Sequence, residues 1–157
     1  MYRLGIDIGS TTVKIAILDE ENNIIFDAYE RHFANIQETL RGIIEKAYDE
    51  MGDVDIDPMI TGSGGLSIAS HLDVPFVQEV FSVATALKDY APQTDVAIEL
   101  GGEDAKIIYF SDGIEQRMNG ICAGGTGSFI DQMASLLKTD AAGLNIYAKD
   151  YKAIYPI

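Results

Sequence analysis

A single cysteine, Cys122, lies in the stretch Arg117-Met-Asn-Gly-Ile-Cys-Ala-Gly-Gly-Thr-Gly-Ser-Phe129, where Gly120, Gly124, Gly125 and Gly127 surround it. Phe129, Ile130, Met133, Ala134, Leu136 and Leu137 follow at helical spacing. A thiol in a tight turn at a helix N-terminus meets free N–H groups and the positive end of the helix dipole, which favours the thiolate. The same residues also fit a small buried cysteine beside a tight turn.

Two glycine turns upstream carry a second kind of chemistry. Asp7-Ile-Gly9-Ser-Thr-Thr12 sets a carboxylate on a strand and small hydroxyl residues in the turn. Backbone N–H groups in such a turn approach phosphate oxygens closely. Asp7 could hold magnesium directly or through water, because oxygen ligands suit that ion. Lys14 could neutralise phosphate charge. Glu99-Leu-Gly-Gly-Glu-Asp104 repeats the pattern: Glu103 or Asp104 could orient water or metal, and Lys106 is a second cation. Either turn alone also fits a plain hairpin. His32 and His71 stand isolated and read as surface or cap residues. Gly62-Ser-Gly-Gly65 fits either a cleft lining or a simple strand-to-helix connection, and Phe129, Met133 and Leu137 read as core.

The elements that must position these groups follow from periodicity. Leu4, Ile6 and Ile8 alternate with Gly5, Asp7 and Gly9, which predicts a strand. Val13, Ile15 and Ile17 predict a second, and Ile24 to Phe33 a third, so the chain opens as an antiparallel meander. Asn35 with Glu38 reads as a capping box. Ile36, Leu40, Ile43, Ile44, Ala47 and Met51 then predict an amphipathic helix closed by Gly52. The acidic run to Asp57 reads as a solvated connection, Met59 to Thr61 as a short strand, and Leu66 to His71 as a short helix. A further helix is expected over 79–90, with Val80, Val83, Ala84 and Leu87 inward. After the linker Ala91-Pro-Gln-Thr94 the order of three strands and a helix recurs, about 90 residues on, as an internal structural repeat. A weak helical segment is expected near 141–149.

The formal net charge is -14 and only 11 residues are basic, without clustering, which argues against nucleic acid. One cysteine excludes an internal disulfide and fits a reducing compartment. No apolar run approaches the ~20 residues of a membrane helix. A cytoplasmic protein with no membrane contact is expected.

The pairing of Leu-Gly-Ile-Asp-Ile-Gly-Ser-Thr-Thr-Val-Lys14 with Glu-Leu-Gly-Gly-Glu-Asp-Ala-Lys106 resembles the actin, Hsp70 and sugar-kinase ATPase superfamily. With the cysteine stretch added, the chain resembles the BadF/BadG/BcrA/BcrD activator ATPases of 2-hydroxyacyl-CoA dehydratases and benzoyl-CoA reductases. The resemblance implies an α/β, ribonuclease-H-like (actin-like ATPase) fold: a mixed sheet with a three-strand antiparallel meander plus helices, duplicated, the second copy incomplete. Residues 1–92 would form the first domain and 93–157 the start of the second. It also implies an ATPase that binds ATP or ADP with Mg2+ through Gly9, Ser10, Thr11, Thr12, Lys14, Gly101, Gly102, Glu103 and Lys106, with Asp7 and Asp104 catalytic. Cys122 would be one ligand of a four-iron, four-sulfur (4Fe-4S) cluster shared across a homodimer. ATP hydrolysis would then drive a low-potential electron to the dehydratase or reductase partner.

Each subunit of that family supplies two cysteines, and the second is expected beyond residue 157, together with the adenosine-binding segment. The chain is therefore expected to be part of a longer protein, and inactive by itself. Two other functions fit the turns: a sugar or acyl-phosphate kinase of the same superfamily, which leaves Cys122 without a role, and a non-catalytic assembly module.

Overall fold

The computed structural model describes residues 1–110, 113–119 and 126–154. The opening meander is β1 (Tyr2–Ile8), β2 (Thr12–Leu18) and β3 (Ile24–Arg31), antiparallel throughout. Helix α1 (Ile36–Met51) crosses one face, and β4 (Ile56–Thr61) returns parallel to β1. The sheet order is β3-β2-β1-β4. Alternation along β1 sends Leu4, Ile6 and Ile8 into the core, where they meet Val13, Ile15, Ile17, Phe26 and Ile60 beneath Ile43 and Ala47 of α1. Each of the larger buried side chains among these is worth about 1.5–3 kcal/mol. The same alternation turns Gly5 and Asp7 to the opposite face.

Two short helices follow, α2 (Gly65–Leu72) and α3 (Glu79–Tyr90). The Gly62–Gly65 loop closes over the end of β1, where the Gly64 N–H donates to the Ile8 carbonyl at 2.8 Å. Gly62 has φ +96, and a Cβ there would stand 2.3 Å from the Ile8 carbonyl oxygen, so only glycine fits. No residue of α3 is buried; its inward positions Val80, Val83, Ala84 and Leu87 are half-covered.

The second sheet is β5 (Val96–Leu100), β6 (Ala105–Tyr109) and β7 (Glu115–Met118), again an antiparallel meander. Helices α4 (Gly127–Leu136) and α5 (Ala141–Lys149) follow. Ile108 is fully buried, whereas Ile98 and Leu100 on β5 are 69% and 63% exposed.

The expected capping box at Asn35 does not form. Asn35 occupies the N-cap of α1, but its side chain makes no capping hydrogen bond. Glu38 instead accepts from Arg41 Nη2 at 2.7 Å, one turn along the helix. Strand β4 also begins earlier than expected, at Ile56 rather than Met59. Among the described residues no helix is long and apolar enough to cross a membrane.

Candidate phosphate cleft and the family of the chain

The two glycine turns close alike. In the first, Gly9 N–H donates to the Thr12 carbonyl at 2.9 Å; in the second, Gly101 N–H donates to the Asp104 carbonyl at 2.8 Å. The strand registers match as well, since Asp7 faces Lys14 and Glu99 faces Lys106. Asp7 and Glu99, Gly9 and Gly101, Thr12 and Asp104, and Lys14 and Lys106 are each separated by 92 positions. The positional counterpart of Asp7 is therefore Glu99, while Asp104 corresponds to Thr12.

The turns face each other across one cleft. Asp7, Gly9, Ser10, Thr11, Thr12, Lys14, Gly101, Gly102, Glu103, Asp104 and Lys106 all border it, with Ser63, Glu79 and Glu99. Every candidate phosphate and catalytic residue is thus brought to one place. Gly102 is the point of closest approach, for a Cβ there would stand 2.5 Å from Thr11 Oγ1 and 2.9 Å from Ser10 Oγ.

Both lysines are already paired. Lys14 Nζ donates to Asp7 Oδ2 at 2.6 Å and lies 5.6 Å above the Tyr29 ring. Lys106 Nζ donates to Glu79 of α3 and, at 3.2 Å, to Glu99. Burial alone pulls the Lys106 amine down, but the hydrogen bond it donates to Glu79 and the charges of Glu99 and Glu79 outweigh it, and the group is held above the ordinary lysine range. Among the described residues Asp7 Oδ1 is buried without a hydrogen-bond partner, as is Thr61 Oγ1. Five carboxylates among the described residues border the cleft against two ammonium groups.

Helix α4 starts from the second turn. The N–H groups of Gly127 and Ser128 donate to the carbonyls of Gly101 and Gly102 at 2.9 and 2.8 Å. These two first-turn donors are therefore committed to the hairpin and are not free for a thiolate. Arg31 at the end of β3 adds a tie across the cleft to Asp131 of α4, with Nη1 2.6 Å from Oδ2. Cys122 itself lies outside the described residues. Among the described residues no three His, Cys, Asp or Glu side chains are grouped to hold a metal.

Three residues of this region were not among the sequence candidates. Glu99 was detectable, since the fixed offset marks it as the counterpart of Asp7. Glu79 reaches Lys106 across 27 positions, and His32 reaches the Gly9 carbonyl across 23. No local pattern signals either contact.

The BadF/BadG/BcrA/BcrD ATPase family matches residues 4–144. The chain is 31% identical to the 2-hydroxyisocaproyl-CoA dehydratase activator of Clostridioides difficile, over 92% of this chain and 55% of that protein. It is 29% identical to the (R)-2-hydroxyglutaryl-CoA dehydratase activating ATPase of Acidaminococcus fermentans, over 98% of this chain and 61% of that one. Among solved structures, the C. difficile activator with bound ADPNP aligns with TM-score 0.85 at 27% identity, covering 100% of this chain and 60% of that chain. A. fermentans dehydratase component A aligns with TM-score 0.86 at 25% identity, covering 100% of this chain and 62% of that one. This chain accordingly spans 55 to 61% of the length of these curated relatives. Sequence and fold agree that this chain belongs to the BadF/BadG/BcrA/BcrD ATPase family, with an actin-like ATPase fold.

Proposed function

We propose that the chain is the phosphate-gripping part of an ATP-dependent activator of a 2-hydroxyacyl-CoA dehydratase or a benzoyl-CoA-reductase-type partner. One observation carries this reading: two equivalent glycine hairpins meet across a single cleft, and α4 begins on the second of them. The relatives' roles as dehydratase activators support the choice of partner. Residues 1–92 form the first domain in this reading, and the second begins at 93.

ATP binds with its phosphates between the turns. Backbone N–H groups of Ser10, Thr11 and Thr12 on one side, and of Gly102 and Glu103 on the other, serve as donors, while Gly9 and Gly101, whose own N–H groups close the turns, let the phosphates approach the backbone. Lys14 and Lys106 offset phosphate charge. A cleft with an excess of carboxylates repels free nucleotide, so the bound species is the magnesium complex. The unpartnered Asp7 Oδ1 fits such an ion, which takes one or two carboxylates plus phosphate oxygens. Magnesium would supply charge neutralisation on the phosphates. Asp7 and Asp104 hold and orient the attacking water. Because α4 starts on the Gly101 and Gly102 carbonyls, any shift of the second turn is passed to that helix.

Cys122, just upstream of α4, is one ligand of a 4Fe-4S cluster at the interface of a homodimer. One cysteine per chain supplies two of four thiolates in a pair, so these 157 residues do not complete the cluster. Its other ligands would come from sequence outside them.

The test is Mg2+-dependent ATP hydrolysis by the whole protein. Asp7→Ala and Asp104→Ala should each lower the rate by roughly 10²-fold, the scale of a lost acid–base group. Near wild-type hydrolysis by both variants would refute the assignment.

A further inference from the structure

His32, read from the sequence as a surface or cap residue, is buried to 6% exposure directly after β3, against the first hairpin. The Ala34 N–H donates to its Nδ1 at 3.1 Å, so that nitrogen carries a lone pair. The ring proton is therefore on Nε2, which lies 3.2 Å from the Gly9 carbonyl oxygen and donates to it. The backbone N–H of His32 donates to the Thr11 carbonyl, also at 3.2 Å. One residue thus occupies two carbonyls of the candidate phosphate turn.

A turn that binds an anion must present its N–H groups and keep its carbonyl oxygens away from the ligand. A carbonyl free to swing toward phosphate would repel it. His32 removes that freedom on both sides of Ser10. The chain accepts backbone strain to place it there: Phe33 and Ala34, neither of them glycine, have φ of 44° and 65°. No burial offsets this at Phe33, which is 85% exposed. Asn35 N–H donates to the His32 carbonyl at 2.6 Å and closes the strained turn. Strain maintained without a packing reward is the kind retained at functional sites.

We propose that His32 is a positioning residue for phosphate recognition, locking the Gly9 and Thr11 carbonyls away from the nucleotide. It touches no nucleotide itself. The proposal rests on the reading that the first hairpin holds ATP phosphates. The whole protein is titrated with MgATP, MgADP and adenosine, as wild type, His32→Leu and His32→Gln. Leucine fills the volume without a donor, and the glutamine amide can reach the place of Nε2. His32→Leu should weaken MgATP and MgADP by about tenfold, equivalent to ~1.4 kcal/mol, and leave adenosine affinity unchanged. His32→Gln should recover most of the loss.

Wild-type MgATP affinity in His32→Leu would overturn the proposal, and so would equal losses for MgATP and adenosine, which mark general loosening. If His32→Leu does not fold, His32→Asn replaces it, since its shorter amide keeps the acceptor for Ala34 but cannot reach Gly9. Phosphate-selective weakening relative to His32→Gln then supports the role, and equal affinities overturn it. Wild-type protein that binds no MgATP would overturn the underlying ATP reading, a failure distinct from that of His32.

Discussion

Replacing Gly102 with alanine tests the closeness of the two hairpins. The added Cβ would lie 2.5 Å from Thr11 Oγ1, 2.7 Å from Thr11 Cγ2 and 2.9 Å from Ser10 Oγ, all inside the 3.0 Å that real Cβ contacts respect. Thr11 is short and β-branched, so its side chain cannot swing clear within its own rotamers. The turns must part instead, by roughly half an ångström to one ångström, and overpacking of this kind costs about 1–3 kcal/mol. For a chain of this size each kcal/mol lowers Tm by roughly 2–4 °C, so Gly102→Ala should melt about 2–12 °C below wild type. Parting the turns also separates two sets of phosphate donors, and MgATP affinity should fall by about tenfold. Thermal scans with and without MgATP, together with calorimetric titration, measure both effects. Adding Thr11→Ser, which removes Cγ2 and frees the hydroxyl, should restore part of the loss in a double-mutant cycle. Unchanged Tm and unchanged MgATP affinity in Gly102→Ala would refute the proposed approach of the hairpins.

Three further outcomes follow from the cleft. Lys106→Met should cost about 1–3 kcal/mol at neutral pH, the scale of lost hydrogen bonds to charged groups. Because the folded Lys106 is held above its ordinary range, its stabilisation is complete below the unfolded value of ~10.4 and is lost as pH climbs through the higher folded value. Alkaline titration of stability should therefore show a fall in wild type that Lys106→Met lacks; parallel curves would count against the ion pairs. Chelating magnesium should weaken ATP binding by at least about tenfold, given the carboxylate excess, and equal affinity with and without the metal would contradict the electrostatic argument. Cys122→Ser in the whole protein should lose its iron while keeping its nucleotide affinity, and iron analysis alongside titration decides it.

Much of the fold was legible because burial is written into local periodicity. Leu4, Ile6 and Ile8 report the core face of β1, and Ile43 and Ala47 report the inner stripe of α1. The start of β4 was less so. Pro58 sits within it, which reads as a strand breaker, yet β4 lies at the edge of its sheet, where a missing N–H is tolerated. The candidate cleft was readable in its turns and lysines, since each hairpin is a local motif. Its electrostatics were not. Glu79 and Lys106 meet only after α3 and the second sheet are in place, and His32 reaches Gly9 only through a turn that violates local backbone preference. Contacts of this kind depend on tertiary placement, which no window of residues contains.

A crystal structure of the whole protein with magnesium and a non-hydrolysable ATP analogue decides whether the two hairpins hold phosphate. The β- and γ-phosphates should lie between residues 9–12 and 101–104, with the metal on the Asp7 side. An analogue bound elsewhere, with the two hairpins free of phosphate, would contradict it.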